Sequence, residues 1–155
     1  MNKLLVIIIF GVFITPLGVN AQNKRVEIAK AFIHDLLLTK DSFPTGLLKY
    51  MSFGDQKNAK VDTLFFSLIY EYKRDFDTLL LGDNVNNYQV MPYDELDIKI
   101  RRPFPKRKGR NEFKNVYGIV FGDSIISYFL FKGNKIKSLF YISKGRGDYN
   151  YFLII

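Results

Sequence analysis

The chain has 155 residues, with 23 Lys and Arg against 15 Asp and Glu, 48% hydrophobic and 25% charged residues, no Cys, no Trp and one His. That balance is that of a single packed domain and excludes a disordered polyelectrolyte or a collagen-like chain. The absence of cysteine excludes disulfides, thiolate metal sites and a thiol nucleophile, and one His gives no basis for a His-built metal centre, so neither metal nor cofactor is expected.

In chain order, the first element is a targeting segment. Met1, Asn2 and Lys3 form a short positive head, residues 4–19 are apolar apart from Gly11, Thr15, Pro16 and Gly18, and Asn20, Ala21 and Gln22 follow. A basic head, an apolar core, breakers near its end and a small residue before the cut are the parts of a secretory signal peptide. A spanning anchor needs ~20 apolar residues, which is longer than this stretch. Cleavage is expected after Ala21, with Val19 three positions before the cut. The expected division is therefore residues 1–21 as signal peptide and 22–155 as one α+β domain, secreted or periplasmic.

Over residues 25–39 the apolar side chains Val26, Ala29, Ile33, Leu36 and Leu37 recur at three- and four-residue steps, which predicts an amphipathic helix with Asp35 on its wet face. His34 lies ~120 degrees from the centre of the apolar stripe, given ~100 degrees per residue, and is read as a surface or flanking residue rather than a general base. Pro44 and Gly46 break the chain, and 47–53 is assigned to a short helix. Residues 61–81 carry Leu64, Phe65, Leu68, Ile69, Tyr72 and Phe76 at helical spacing. Helix is preferred there over a strand buried on both faces. Gly82, Asp83, Asn84, Asn86 and Asn87 resemble a calcium loop only superficially, lacking EF-hand spacing, and are read as turn chemistry.

Leu96, Ile98 and Ile100 alternate with Asp97, Lys99 and Arg101, which predicts a half-buried strand. Asp94, Glu95 and Asp97 are read as turn and edge solvation rather than catalytic acids. Beyond residue 115, runs rich in Val, Ile, Phe and Tyr are separated by Gly122 and Asp123, by Gly133 and Asn134, and by residues 144–148, which predicts a β-meander. The alternation of Ile136, Ser138, Phe140 and Ile142 puts one face of a strand on the core. Helices followed by hairpin-connected strands give an α+β fold, with N-terminal helices packed on one face of a C-terminal antiparallel sheet.

The signal peptide, the first helix and the closing run from Ser127 through Phe131 and Gly133 to Ser138 together resemble small secreted bacterial domains of the nuclear-transport-factor-like or cystatin-like type. The resemblance implies a curved sheet and helices around a conical pocket, used by some members for catalysis and by many only for binding.

The dominant chemical signal is charge. Removing residues 1–21 takes away one cation, Lys3, and leaves 22 basic against 15 acidic residues. Lys99, Arg101, Arg102, Lys106, Arg107, Lys108, Arg110 and Lys114 stand against Glu112 alone in 99–114, and the remaining 14 basic and 14 acidic residues cancel. All the excess charge of the exported chain thus sits in one segment. Arg101, Arg102, Lys106, Arg107, Lys108 and Arg110 are the candidate anion-binding residues of a basic loop at 101–114. Phe104, between Pro103 and Pro105, is the candidate interfacial anchor. Outside the cytoplasm the partners such a loop fits are anionic polymers, lipopolysaccharide or lipid head groups.

The tripeptide Arg146, Gly147, Asp148 matches an integrin-recognition motif but falls where a hairpin turn is needed, so integrin-type adhesion is not expected. Nucleotide loops, GxSxG elbows and HExxH are absent. The favoured function is a non-enzymatic binding module. The alternative is a small pocket enzyme using His34 or the acids at 94–97, with catalytic residues left unassigned.

The exported protein is expected to begin at Gln22. N-terminal mass spectrometry of an extracellular or periplasmic fraction checks this, and a soluble cytoplasmic species with Met1 intact is the opposite result.

Overall fold

The computed structural model describes residues 17–38, 45–52, 63–80, 87–104, 112–144 and 149–152. The head and most of the apolar core of the expected targeting segment, Lys106, Arg107, Lys108, Arg110, residues 82–86 and the Arg146–Asp148 tripeptide lie outside the described residues. Helix α1 spans Leu17–Leu38 and α2 spans Thr63–Leu80. A 3-10 turn at Thr45–Tyr50 falls where the short helix is expected. Strands β1 (Tyr88–Pro92), β2 (Val116–Phe121), β3 (Ser124–Lys132) and β4 (Lys135–Ser138) form one antiparallel sheet in the order β1-β2-β3-β4. Strands β5 (Tyr141–Lys144) and β6 (Tyr149–Phe152) pair separately. The fold is α+β, with the helices before the sheet, as the sequence predicts.

Helix α1 buries Ala29, Phe32, Ile33 and Leu36, one stripe at helical spacing, and α2 buries Phe66, Ile69 and Phe76 on its own stripe. Both pack on the sheet face formed by Val90, Tyr117, Ile119, Phe129, Phe131 and Ile136. The strand alternative for 61–81 loses because Tyr70, between buried Ile69 and half-buried Tyr72, is 54% exposed: burial follows the helical period. Helix α1 starts at Leu17, well before the expected Arg25. The expected cleavage bond therefore lies inside the helix, while among the described side chains the first packed on the core is Val26. Near that point the Arg25 guanidinium donates to the carbonyls of Gly133 at 2.9 Å and Lys114 at 3.1 Å, tying α1 to the β3–β4 turn and to the chain entering β2.

The two-residue turns between β2 and β3 and between β3 and β4 carry Gly122 at φ 56° and Gly133 at φ 60°, the left-handed conformation that tight hairpins require. The expected unbroken meander stops at Ser138. Its hydroxyl bonds to both the carbonyl and the N–H of Phe140, at 3.0 and 3.2 Å, replacing ladder bonds with a local one. Ser138 and Leu139 are consecutive and both buried, so period two fails there.

The expected strand at 96–101 is not formed. The Asp97 carbonyl accepts from the N–H groups of Ile100 at 3.1 Å and Arg101 at 3.0 Å, and its carboxylate accepts from the Lys99 N–H at 2.8 Å, so these donors are satisfied within one turn. The sheet edge is taken instead by β1, which pairs with β2 from Tyr88 opposite Phe121 to Pro92 opposite Tyr117. Leu96 is buried against the second sheet face, together with Tyr93, Phe104, Val116 and Tyr128. Met91, Phe113, Leu130, Tyr141 and Phe152 complete this layer, so β5 and β6 close over the face that the helices leave uncovered.

Gly118 sits under Leu96 in the middle of β2. A Cβ there would lie 2.7 Å from Leu96 Cδ1 and 3.1 Å from Cδ2. Gly118→Ala is expected to cost ~1 to 3 kcal/mol through overpacking. In the Leu96→Ala background the same substitution should cost markedly less, because the clash is gone. Urea denaturation of the four proteins of this cycle measures the coupling; strictly additive costs would mean that Leu96 does not pack on Gly118.

Candidate functional site

The basic segment emerges from an aromatic shelf on the second face of the sheet. Arg102 is held by its backbone: its N–H donates to the Tyr128 hydroxyl at 2.7 Å, and its carbonyl accepts from the Tyr93 hydroxyl at 2.9 Å. Burial pushes the Tyr128 phenol up to about 12 and raises that of Tyr93, so both clamps stay protonated across the ordinary pH range. The two guanidiniums lie over aromatic rings, Arg101 5.1 Å from the Tyr93 centroid and Arg102 5.9 Å from that of Tyr141. Arg101 also reaches the Tyr93 carbonyl at 3.4 Å. Lys99, Arg102 and Lys114 are exposed and Arg101 half-buried, and among the described residues none of the four pairs with a carboxylate.

Phe104 is not the exposed anchor expected of it. It is buried, stacked on Phe152 at 4.9 Å with the rings 5° from parallel, and edge-on to Tyr128 at 5.1 Å and Tyr93 at 5.7 Å. An aromatic ring gains more from such a layer than from facing water, and Pro103 beside it is exposed instead. Tyr93 also stacks on Phe113 at 5.0 Å. One ring thus meets Phe104 before and Phe113 after residues 105–111. The sequence shows abundant Tyr and Phe around the basic run, but not which of them meet across the sheet.

The residues weighed for catalysis do not gather. Glu95 accepts from Gln22 at 2.9 Å, Asp97 closes its own turn and Asp94 is exposed. Among the described residues no three His, Asp or Glu side chains are placed to hold a metal ion. His34 is 66% exposed, with Nδ1 3.3 Å from the carboxylate of Asp35. Asp35 itself differs from expectation, since it is only half-exposed and binds α1 to the 3-10 turn. It accepts from Lys49 at 2.8 Å and from the Tyr50 hydroxyl at 2.7 Å beside a shallow, open depression lined by Leu38, Gly46 and Leu47. The hydrogen bond from Lys49, then that from Tyr50, holds its carboxyl down at about 2.

No protein-family model, curated protein or solved structure matches this chain.

The depressed Asp35 carboxyl makes stability depend on pH in a definite sense. Its contribution is fully present above the unfolded carboxyl value of ~3.9 and is lost as pH falls towards the folded value, because protonation removes the negative charge that strengthens both bonds. With a third of the carboxylate in solvent, the contribution is ~1 kcal/mol or less. The difference in urea midpoint between wild type and Asp35→Asn is therefore expected at ~pH 6 and should close between ~pH 4 and 2. A difference independent of pH would contradict the ionic origin of this tie.

Proposed function

We propose that the chain is an exported, non-enzymatic binding module that engages an anionic partner through the basic segment 99–114. The observation that carries this reading is the anchored root of the segment: Arg101 and Arg102 are stacked on tyrosines, with Arg102 fixed by two phenols, and neither guanidinium is neutralised by a described carboxylate. Cations held on a rigid platform lose less conformational freedom on binding than cations on a free chain. Further support comes from the interior. The space between helices and sheet is filled by Phe, Tyr and aliphatic side chains, and the buried polar side chains among the described residues are Ser127 and Ser138. Ser127 accepts from the Tyr72 hydroxyl at 2.5 Å and Ser138 bonds to Phe140, so both are engaged within the core rather than aimed into a pocket.

Replacement of Arg101, Arg102, Lys106, Arg107, Lys108 and Arg110 by Gln should abolish retention on heparin at ~0.15 M salt, where screening extends over ~8 Å. With duplex DNA as probe, wild-type affinity should fall with salt at a logarithmic slope of about −0.9 per phosphate neutralised. A companion variant changed only at Lys106, Arg107, Lys108 and Arg110 leaves the tyrosine contacts intact. It should melt with the wild type and be retained less strongly on heparin. Equal retention of wild type and variants, or no retention of the wild type, would overturn the proposal.

A further inference from the structure

The turn that replaces the expected strand has an unusual tip. Tight turns are built from Gly, Asn, Asp, Ser and Pro, and β-branched residues are poor choices there. This turn instead presents Ile98, Lys99 and Ile100. Ile98 is 74% exposed, more than any other large apolar side chain among the described residues, and Ile100 is 36% exposed. Single exposed apolar residues are ordinary on a protein surface. Two isoleucines in one turn, separated by a lysine and followed at once by Arg101 and Arg102, form a pattern with a partner chemistry of its own.

The turn is also closed by bonds of its own. Asp97 closes it with three hydrogen bonds, two from its carbonyl and one from its carboxylate, which occupies that acid locally. Arg101 and Arg102 brace its far end on Tyr93 and Tyr141. Asp94 and Glu95 stand on the preceding 3-10 turn, Glu95 bonded to Gln22. The chain's excess of cations lies on the other side, after the tip.

We infer that the turn at 97–102 is a membrane-surface anchor, in which Ile98 and Ile100 enter the boundary between head groups and acyl chains of an anionic bilayer while Lys99, Arg101 and Arg102 meet its phosphates. The inference rests on the anionic-partner reading above and narrows the partner to a lipid surface. Burial of apolar area and attraction to anionic head groups are the two contributions that hold a monotopic protein on a membrane, and here they come from adjacent residues. A soluble polyanion uses only the second contribution. The isoleucines therefore separate a lipid surface from a polysaccharide or nucleic acid.

The test uses the exported chain with vesicles of phosphatidylcholine, alone or mixed with phosphatidylglycerol, and heparin as the soluble polyanion. Wild type should co-sediment with the phosphatidylglycerol vesicles and not with phosphatidylcholine alone. Ile98→Ser combined with Ile100→Ser should weaken that binding about tenfold or more, as the lost transfer of two aliphatic side chains requires, and leave heparin retention unchanged. Because the chain has no Trp, Ile98→Trp provides a single indole, read by exciting at wavelengths where tyrosine does not absorb. Its emission should shift to the blue on phosphatidylglycerol vesicles and be quenched by lipids brominated near the head group, with no shift on heparin. Thermal melts matching wild type confirm that these exposed substitutions leave the fold intact. Heparin retention without vesicle binding, vesicle binding indifferent to the two serines, or bound Ile98→Trp without a blue shift overturns the anchor and leaves the polyanion reading standing. Failure to bind either probe removes both.

Discussion

A four-stranded sheet has two faces to withdraw from water, and the two helices cover only one of them. The central strands β2 and β3 are apolar on both sides, with Tyr117, Ile119, Phe129 and Phe131 towards the helices and Val116, Tyr128 and Leu130 away from them. Burying the second side is the requirement from which the rest of the molecule follows. It draws the chain at 93–104 across the sheet, brings Leu96 down onto Gly118 and folds the β5–β6 hairpin back so that Phe152 meets Phe104. Each aromatic residue in that layer buries on the order of 150 to 250 Å², which regular strand pairing at 96–101 would have forfeited.

The same requirement places the charge. Phe104 before the basic run and Phe113 after it both pack on Tyr93. Because Tyr93 and Tyr128 hold the backbone of Arg102, its guanidinium stays at the edge of the aromatic layer. Hydrophobic burial and cation display are thus consequences of one chain path. The path also exposes Ile98: once Leu96 points into the layer and Asp97 closes the turn, the next apolar residue faces outward.

Helix α1 is connected to this arrangement by polar ties from Arg25, within its first half, and from Asp35, in its last turn. Arg25 reaches two backbone carbonyls near the β3–β4 turn, and Asp35 gathers Lys49 and Tyr50 of the 3-10 turn. The 3-10 turn in turn guards the open edge of β4, where Met51 bridges to Ile136 and the Ser52 N–H donates to the Ile136 carbonyl at 2.7 Å. Gln22, Arg25 and Val26, which make polar and packing contacts from α1, all follow the expected cleavage point.

Local periodicity was enough to identify α1, α2 and the hairpins around Gly122 and Gly133, because helical stripes and glycine turns are properties of neighbouring residues. The concentration of cations in 99–114 was equally plain, being a matter of composition. Periodicity misled at 96–101, where alternating Leu96, Ile98 and Ile100 mimic a strand: a ladder needs a partner, and Asp97 satisfies the local donors before one is found. It passed over β1, which pairs with β2 across the 23 residues of intervening chain from 93 to 115. Only the tertiary structure decided that Phe104 goes inward and Ile98 outward. Which apolar side chain is buried depends on the second sheet face lying within its reach, a distance that no window of neighbouring residues contains.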